Sequence, residues 1–163
     1  MNRGVEIVHE FGRHAAVTTF DFRPGLRPEE SGDRIPEAFR TVATYLGDAG
    51  IPATGAAIGV YRMRPGGMTA SIGFEVDAEV PGDGTVAPLT IPPGETLRAL
   101  HIGPYERLPE TYVALQSYAE RHGLRLDQQL MWEEYRSHPE VEPALTETVV
   151  HWPCTRVPSR VAR

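Results

Sequence analysis

An α+β fold made of two tandem ββαββ units is what the sequence predicts, and three observations carry that prediction. Two segments show one helical stripe each, Ile35, Phe39, Val42 and Leu46 in the first and Leu108, Tyr112, Leu115 and Ala119 in the second, both spaced i, i+4, i+7, i+11. Both stripes are flanked by stretches that alternate apolar and polar residues, as half-buried strands do. The two segments also agree residue by residue at the offset that separates Pro36 from Pro109, which is 73. At that offset Glu37 and Glu110, Tyr45 and Tyr118, and Gly50 and Gly123 are identical, while Ile35/Leu108, Phe39/Tyr112 and Ile51/Leu124 are similar. One inserted residue later, Tyr61-Arg62 meets Tyr135-Arg136. Repetition of this kind marks a supersecondary unit used twice. The expected product is a single domain over residues 1–163, with a first half at about 5–77 and a second at about 85–153. Antiparallel sheets, one main helix per half, a pseudo-two-fold between the halves and a cleft at their junction follow from that reading.

Taken in order, Val5–His9 alternates, and after a break at Gly12 the run Ala15–Phe22 reads as a second strand that pairs with the first as a ribbon. Arg23–Gly32, RPGLRPEESG, is a Pro/Gly-rich loop without periodicity. The first helix is expected at about 35–48, with Pro36 tolerated in its first turn and Gly47 or Gly50 able to stop it. Strands at about 56–63 and 68–76 flank the turn Arg64–Gly67, RPGG, as a hairpin. The same order then restarts with Ala87–Ile91, the turn at Pro92–Gly94, a strand at Thr96–Ile102 and a helix at about 107–122. Asn2–Gly4 and Val157–Arg163 read as loose ends.

The stretch Leu130–Tyr135, LMWEEY, places carboxylates where a buried strand would ordinarily carry hydrophobes. Strand alternation sends Met131, Glu133 and Tyr135 to one face and Leu130, Trp132 and Glu134 to the other. Ile58 and Val60 are the apolar alternates expected to face the first helix, which sends Tyr61, and with it Tyr135 and Glu133, to the opposite face and into the cleft. Phe74, on the strand after Tyr61, is a further candidate for the cleft wall. A shift of one residue would turn Glu134 and Trp132 to the cleft instead. Tyr112, on the second helical stripe, reads as packing, and Trp132 as core.

Composition removes several classes of function. All 16 basic residues are arginine, so lysine Schiff-base and P-loop chemistry are excluded. A net charge of -6 and a pI of about 5.5 argue against direct binding of a nucleic acid, which needs clustered Lys and Arg. Cys154 is the single cysteine, so no intramolecular disulfide or CxxC zinc site forms. The six histidines show no HxxxH or HxH spacing, and neither a metal nor a cofactor is expected. His151 and Cys154 in HWPC resemble a thiol dyad, but a small buried Cys at a strand end is the commoner arrangement. His101 reads as a structural histidine before the following turn. No signal peptide or membrane-length apolar run is visible, which makes the cytoplasm the expected location and leaves no membrane role.

With these residues in view, the chain resembles the GyrI-like domain, also called the bacterial transcription-activator effector-binding domain. The resemblance rests on HIGPYERLPETYVAL at 101–115, a Gly-Pro-Tyr turn into the second helix, on WEEYRSHP at 132–139, and on the closing strand TETVVHWP at 146–153. It implies a central pocket with Glu133 in it and Tyr135 as its neighbour; the position between them, usually apolar in the family, is Glu134 here. Members serve as the ligand-sensing part of AraC- and MerR-type regulators, as free-standing drug-binding or gyrase-inhibiting proteins, and as hydrolases of cyclopropane-bearing toxins. The sequence leaves no room for a helix-turn-helix domain before Val5, and the expected function is stand-alone capture of hydrophobic, aromatic, cationic small molecules by Glu133, Tyr135, Tyr61 and Phe74. Two alternatives stay open. One is hydrolysis of reactive cyclopropanes with Glu133 as general acid or base and Tyr135 or Tyr61 as a polarising hydroxyl; the other is a gyrase-type protein partner.

Overall fold

A computed structural model of the protein describes residues 2–22, 34–138 and 140–158. The expected loop at Arg23–Gly32 lies outside the described residues, as do residues 159–163 of the expected loose C-terminal end. In chain order the elements are β1 (Asn2–Glu10), β2 (Arg13–Phe22), α1 (Arg34–Ala49), β3 (Ala57–Arg64), β4 (Gly67–Val76), β5 (Ala87–Ile91), β6 (Gly94–Ile102), α2 (Leu108–Arg121), β7 (Leu124–Leu126), β8 (Leu130–Tyr135) and β9 (Glu147–Arg156). Short 3-10 turns at Tyr105–Arg107 and Pro143–Leu145 complete the set. The two helices fall where the recurring stripes place them. Asn2–Gly4, expected to be loose, is instead the start of β1.

Among the described residues all strand pairings are antiparallel and form one open sheet of order β1-β6-β9-β8-β3-β4-β2-β5, with β7 added beside β9. The antiparallel strands thus join in one continuous sheet, and the expected β1–β2 ribbon is corrected. β1 pairs with β6, and β2 pairs with β4 and β5, so each first strand crosses to the far end of the sheet. The order reads the same from either end when β1 is exchanged with β5, β2 with β6, β3 with β8 and β4 with β9.

These crossings bend the sheet. β1 and β2 are separated by six strand spacings in the order, roughly 29 Å if the sheet were flat. They are joined by only Phe11 and Gly12, a reach of at most about 11 Å. β5 and β6 face the same constraint across Pro92 and Pro93. The two ends of the sheet must therefore curl toward each other, and the two connections meet: Gly12, at φ +94°, sits against the Ile91 carbonyl and Pro93.

Curling gives the sheet an enclosed face and an outer face. Ala15, Val17, Ile58, Val60, Ile91, Leu130 and Trp132 form one buried cluster with no helical residue in it, so the sheet itself covers them. Ile58 and Val60 thus face the enclosed interior and not the helix, which corrects the expected packing. Both helices lie on the outer face. Val42 and Leu46 of α1 pack with Ala16 and Val76, and Leu115 and Ala119 of α2 pack with Leu97, Ala99 and Val150. Among the described residues no helix is long and apolar enough to cross a membrane.

Candidate functional site

The C-terminal half of each helical stripe is core, while the N-terminal half borders a cavity, with Leu108 belonging to both. Ile35 and Phe39 on α1, and Leu108 and Tyr112 on α2, line a cavity of about 1200 Å³ between the helices and the outer face of the sheet. Its floor is the central strand pair, where Ala57 faces Tyr135, Gly59 faces Glu133 and Tyr61 faces Met131. Phe74 and Met68 of β4 close one side, and Tyr105, Val141 and Pro143 stand at the other. The structure thus brings Glu133, Tyr135, Tyr61 and Phe74 to one cavity. Glu133, Tyr135 and Tyr61 share a strand face as alternation predicts, but it is the helix-covered face and not the opposite one, which corrects that expectation. Glu134 and Trp132 point the opposite way, so the one-residue shift does not occur.

Glu133 is 6% exposed. The Tyr112 hydroxyl donates to its Oε1, and the Tyr135 hydroxyl donates to its Oε2 at 2.8 Å. Tyr61 and Tyr135 share a further hydrogen bond of 2.7 Å. A phenol has one proton, and that of Tyr135 is committed to the carboxylate, so Tyr61 donates to Tyr135. The result is a chain of hydroxyls ending on one acid. Gly59 makes this convergence possible, since a Cβ there would lie 2.6 Å from the Tyr135 hydroxyl and 3.0 Å from that of Tyr61.

The electrostatics follow from burial. Desolvation pushes the Glu133 carboxyl above the ordinary carboxylate range, and the hydrogen bonds from Tyr112 and Tyr135 only partly oppose it. Burial first, and the nearby Glu133 charge second, hold the phenols of Tyr61, Tyr112 and Tyr135 above their usual range, so they stay protonated as donors. Tyr105, half exposed at the mouth, is raised for the same two reasons. Among the described residues no basic side chain pairs with Glu133; Arg40 and His138 lie at the exposed rim, with Glu106.

The rings meet in one tilted and two edge-on contacts. Phe39 packs on Phe74 at 5.5 Å and on Tyr135 at 6.0 Å, and Tyr105 meets Tyr135 at 6.1 Å. Tyr112, read from the stripe as packing, both lines the cavity and bonds the acid, which corrects that expectation. Its stripe position at an open helix start, matched by Phe39, was the available signal. His101 is fully buried, with Nε2 donating to the Pro104 carbonyl at 3.1 Å and Nδ1 accepting from Thr111 Oγ1 at 2.8 Å. It ties the Gly-Pro-Tyr turn to α2 and does not enter the cavity. Cys154 packs in the α2 core while His151 faces the enclosed interior, so the two form no dyad.

Comparison with known proteins agrees with this geometry. A search among curated protein sequences returns no match. The crystal structure of the EcmrR C-terminal domain is similar at a TM-score of 0.76 and 17% identity, covering 94% of this chain and 98% of that one. In the EcmrR–DNA complex the same TM-score and identity cover 96% of this chain but 58% of the EcmrR chain. A hydrolase encoded by lin2189 from Listeria innocua matches at a TM-score of 0.67 and 15% identity, over 94% of this chain and 92% of that one. SAV2435 bound to tetraphenylphosphonium matches at 0.63 and 10%, over 94% of each chain. At these identities the likeness is one of fold. A family model for the GyrI-like small molecule binding domain matches residues 22–153, most of the length and all of the cavity, and the chain belongs to that family.

Proposed function

We propose that this protein captures a hydrophobic aromatic cation in the cavity between α1 and α2, with Glu133 as the counter-charge. One observation carries this reading: a buried carboxylate on a ring-lined floor, held by two phenols and paired with no base among the described residues. Burying a carboxylate without a cation is costly. A bound cation would offset that cost and would also meet the faces of Tyr and Phe rings, each worth about 0.5–2 kcal/mol. Tetraphenylphosphonium, the ligand in the SAV2435 structure, belongs to this chemical class. The capturing residues are Glu133, Tyr135, Tyr61 and Phe74, as read from the sequence, together with Tyr112 and Phe39.

The experiment is a titration of tetraphenylphosphonium and of its uncharged analogue tetraphenylmethane against wild type and Glu133→Gln. The cation should bind wild type and lose about 2–5 kcal/mol in the variant, while the neutral compound should be indifferent to it. Unchanged cation binding by Glu133→Gln would defeat the reading.

A second reading has one supporting observation. An acid whose carboxyl burial raises above its ordinary range, at the end of a hydroxyl chain, is suited to general acid–base chemistry, and one similarly folded protein is described as a hydrolase. Following product mass with reactive cyclopropanes separates the two, since turnover lost in Glu133→Gln means an enzyme and stoichiometric capture without product means a binder.

A further inference from the structure

The register of the central strand pair says where in the cavity a charge belongs. On the cavity face the pairs are Ala57 with Tyr135, Gly59 with Glu133 and Tyr61 with Met131. The offset of 74 that joins Tyr61 to Tyr135 also joins Ala57 to Met131 and Gly59 to Glu133. Exchanging every residue for its counterpart therefore turns the three pairs into themselves, and the middle pair alone maps onto itself. Glu133 sits at the local centre of the floor. The acid occurs once because its counterpart is Gly59, whose missing side chain leaves room for the two tyrosine hydroxyls.

The walls repeat about that centre. Phe39 on α1 and Tyr112 on α2 are counterparts at the helical offset, as are Ile35 and Leu108. Gly73 faces Ile58 as His151 faces Trp132, which makes Phe74 and Trp152 counterparts. The Phe39–Phe74 contact at 5.5 Å accordingly reappears as Tyr112–Trp152 at 5.8 Å. Each helix thus presents one ring, backed by a second ring from the sheet, on either side of a single central carboxylate.

Size points the same way. A cavity of about 1200 Å³ exceeds the roughly 300–1000 Å³ typical of sites for drug-sized ligands, so a single ring beside a charge leaves most of it unfilled. We propose that the site selects ions whose charge lies at the middle of the molecule with aromatic arms on both sides, one reaching the Ile35/Phe39 wall and the other the Leu108/Tyr112 wall. This rests on the cation-capture reading above and adds to it a rule of shape: aromatic cations with the charge at one end are poor ligands even at equal size and hydrophobicity.

Two isomeric probes isolate that rule. Dibenzyldimethylammonium carries its charge between two rings, and (4-phenylbenzyl)trimethylammonium carries the same atoms and charge with both rings on one side. Calorimetric titration of the wild-type protein should find the first about ten-fold tighter than the second. Phe39→Leu measured against wild type, and Tyr112→Leu measured against Tyr112→Phe so that the hydrogen bond to Glu133 cancels, each checked for a native near-ultraviolet circular dichroism spectrum, should weaken the first by factors that agree to within about three-fold. Equal affinities for the two isomers, or a preference for the end-charged one, overturns the shape rule while leaving cation capture intact, and the wild-type comparison decides this even if a variant fails to fold. If neither isomer nor tetraphenylphosphonium binds, cation capture itself fails and the shape rule falls with it.

Discussion

Glu133 and Glu134 are neighbours in sequence, equally buried, and opposite in almost every physical respect. Glu133 looks out to the helix-covered cavity and, among the described residues, is met by the phenols of Tyr112 and Tyr135. Glu134 looks into the curl of the sheet, where Arg13 Nη1 lies 3.0 Å from its Oε1, His151 Nε2 2.6 Å from the same oxygen and Arg136 3.7 Å from its Oε2. Arg13 also binds Glu10 at 2.9 Å and Glu75 at 3.2 Å, and its guanidinium stacks 4.7 Å over Trp132, whose ring lies parallel to His151 at 3.6 Å. Burial opposes ionisation of both acids. At Glu134 the contacts with His151, Arg13 and Arg136 outweigh burial and hold the carboxyl below its ordinary value, whereas at Glu133 burial wins and the carboxyl is raised. The difference teaches how two buried charges are treated: Glu134 is met by cations within the protein, while Glu133 has no basic partner among the described residues, which is the ground of the proposed capture.

The strongest way to break this comparison is Glu134→Gln. It takes one of three carboxylates from Arg13, which keeps Glu10 and Glu75, and removes the carboxylate beside buried His151; the loss should be about 1–3 kcal/mol, as read by urea denaturation. A loss below about 1 kcal/mol would mean the enclosed network is no stronger than a surface pair. Glu133→Gln should do the reverse, leaving stability at neutral pH equal to or above wild type while costing about 2–5 kcal/mol in binding of tetraphenylphosphonium.

Dependence on pH sharpens the contrast because the two shifts have opposite sign. Glu133 is raised in the folded state, so its contribution to stability is complete below the unfolded value of about 4.3 and is lost as pH rises through the raised folded value. Glu134 is lowered, so its contribution is present above about 4.3 and is lost as pH falls through the lowered folded value. Melting curves should accordingly show the stability advantage of Glu133→Gln growing as pH rises, and the deficit of Glu134→Gln shrinking in acid. Affinity for a permanent cation should be flat above the free-state value of Glu133 and decline below it, until the carboxyl is protonated in the complex as well. A pH-independent affinity would show that Glu133 does not carry the charge the cation meets.

Smaller effects test the floor. Gly59→Ala drives a methyl between the Tyr61 and Tyr135 hydroxyls and should cost about 1–3 kcal/mol of stability, as overpacking does. Tyr61→Phe removes the proton that Tyr135 accepts and should cost about 0.5–1.5 kcal/mol, with less effect on cation binding than Tyr61→Ala, because the ring remains. A larger loss of cation affinity from Tyr61→Phe than from Tyr61→Ala would place the interaction in the hydroxyl and not in the ring face.

What the sequence determined by itself was local and periodic. The recurring stripes located both helices to within a residue or two, because a 3.6-residue period is written into the order of apolar side chains. Alternation on β8 sent Glu133 and Tyr135 one way and Trp132 and Glu134 the other, because side chains on a strand have no third direction. The offset between halves matched Tyr61 with Tyr135 before any contact was known. Which strands lie side by side was decided only by the tertiary structure. Alternation in β1 and β2 is satisfied by any partner that covers the apolar face, so nothing local distinguishes a β1–β2 ribbon from the crossing that pairs β1 with β6 and curls the sheet. That curl assigned Ile58 and Val60 to an interior without helices and gave Glu134 its arginine from 121 residues away, while Phe39 of α1 and Tyr112 of α2 line the cavity that holds Glu133. Pairings between distant segments are set by the total burial the whole chain achieves, a quantity that no single stretch of sequence contains.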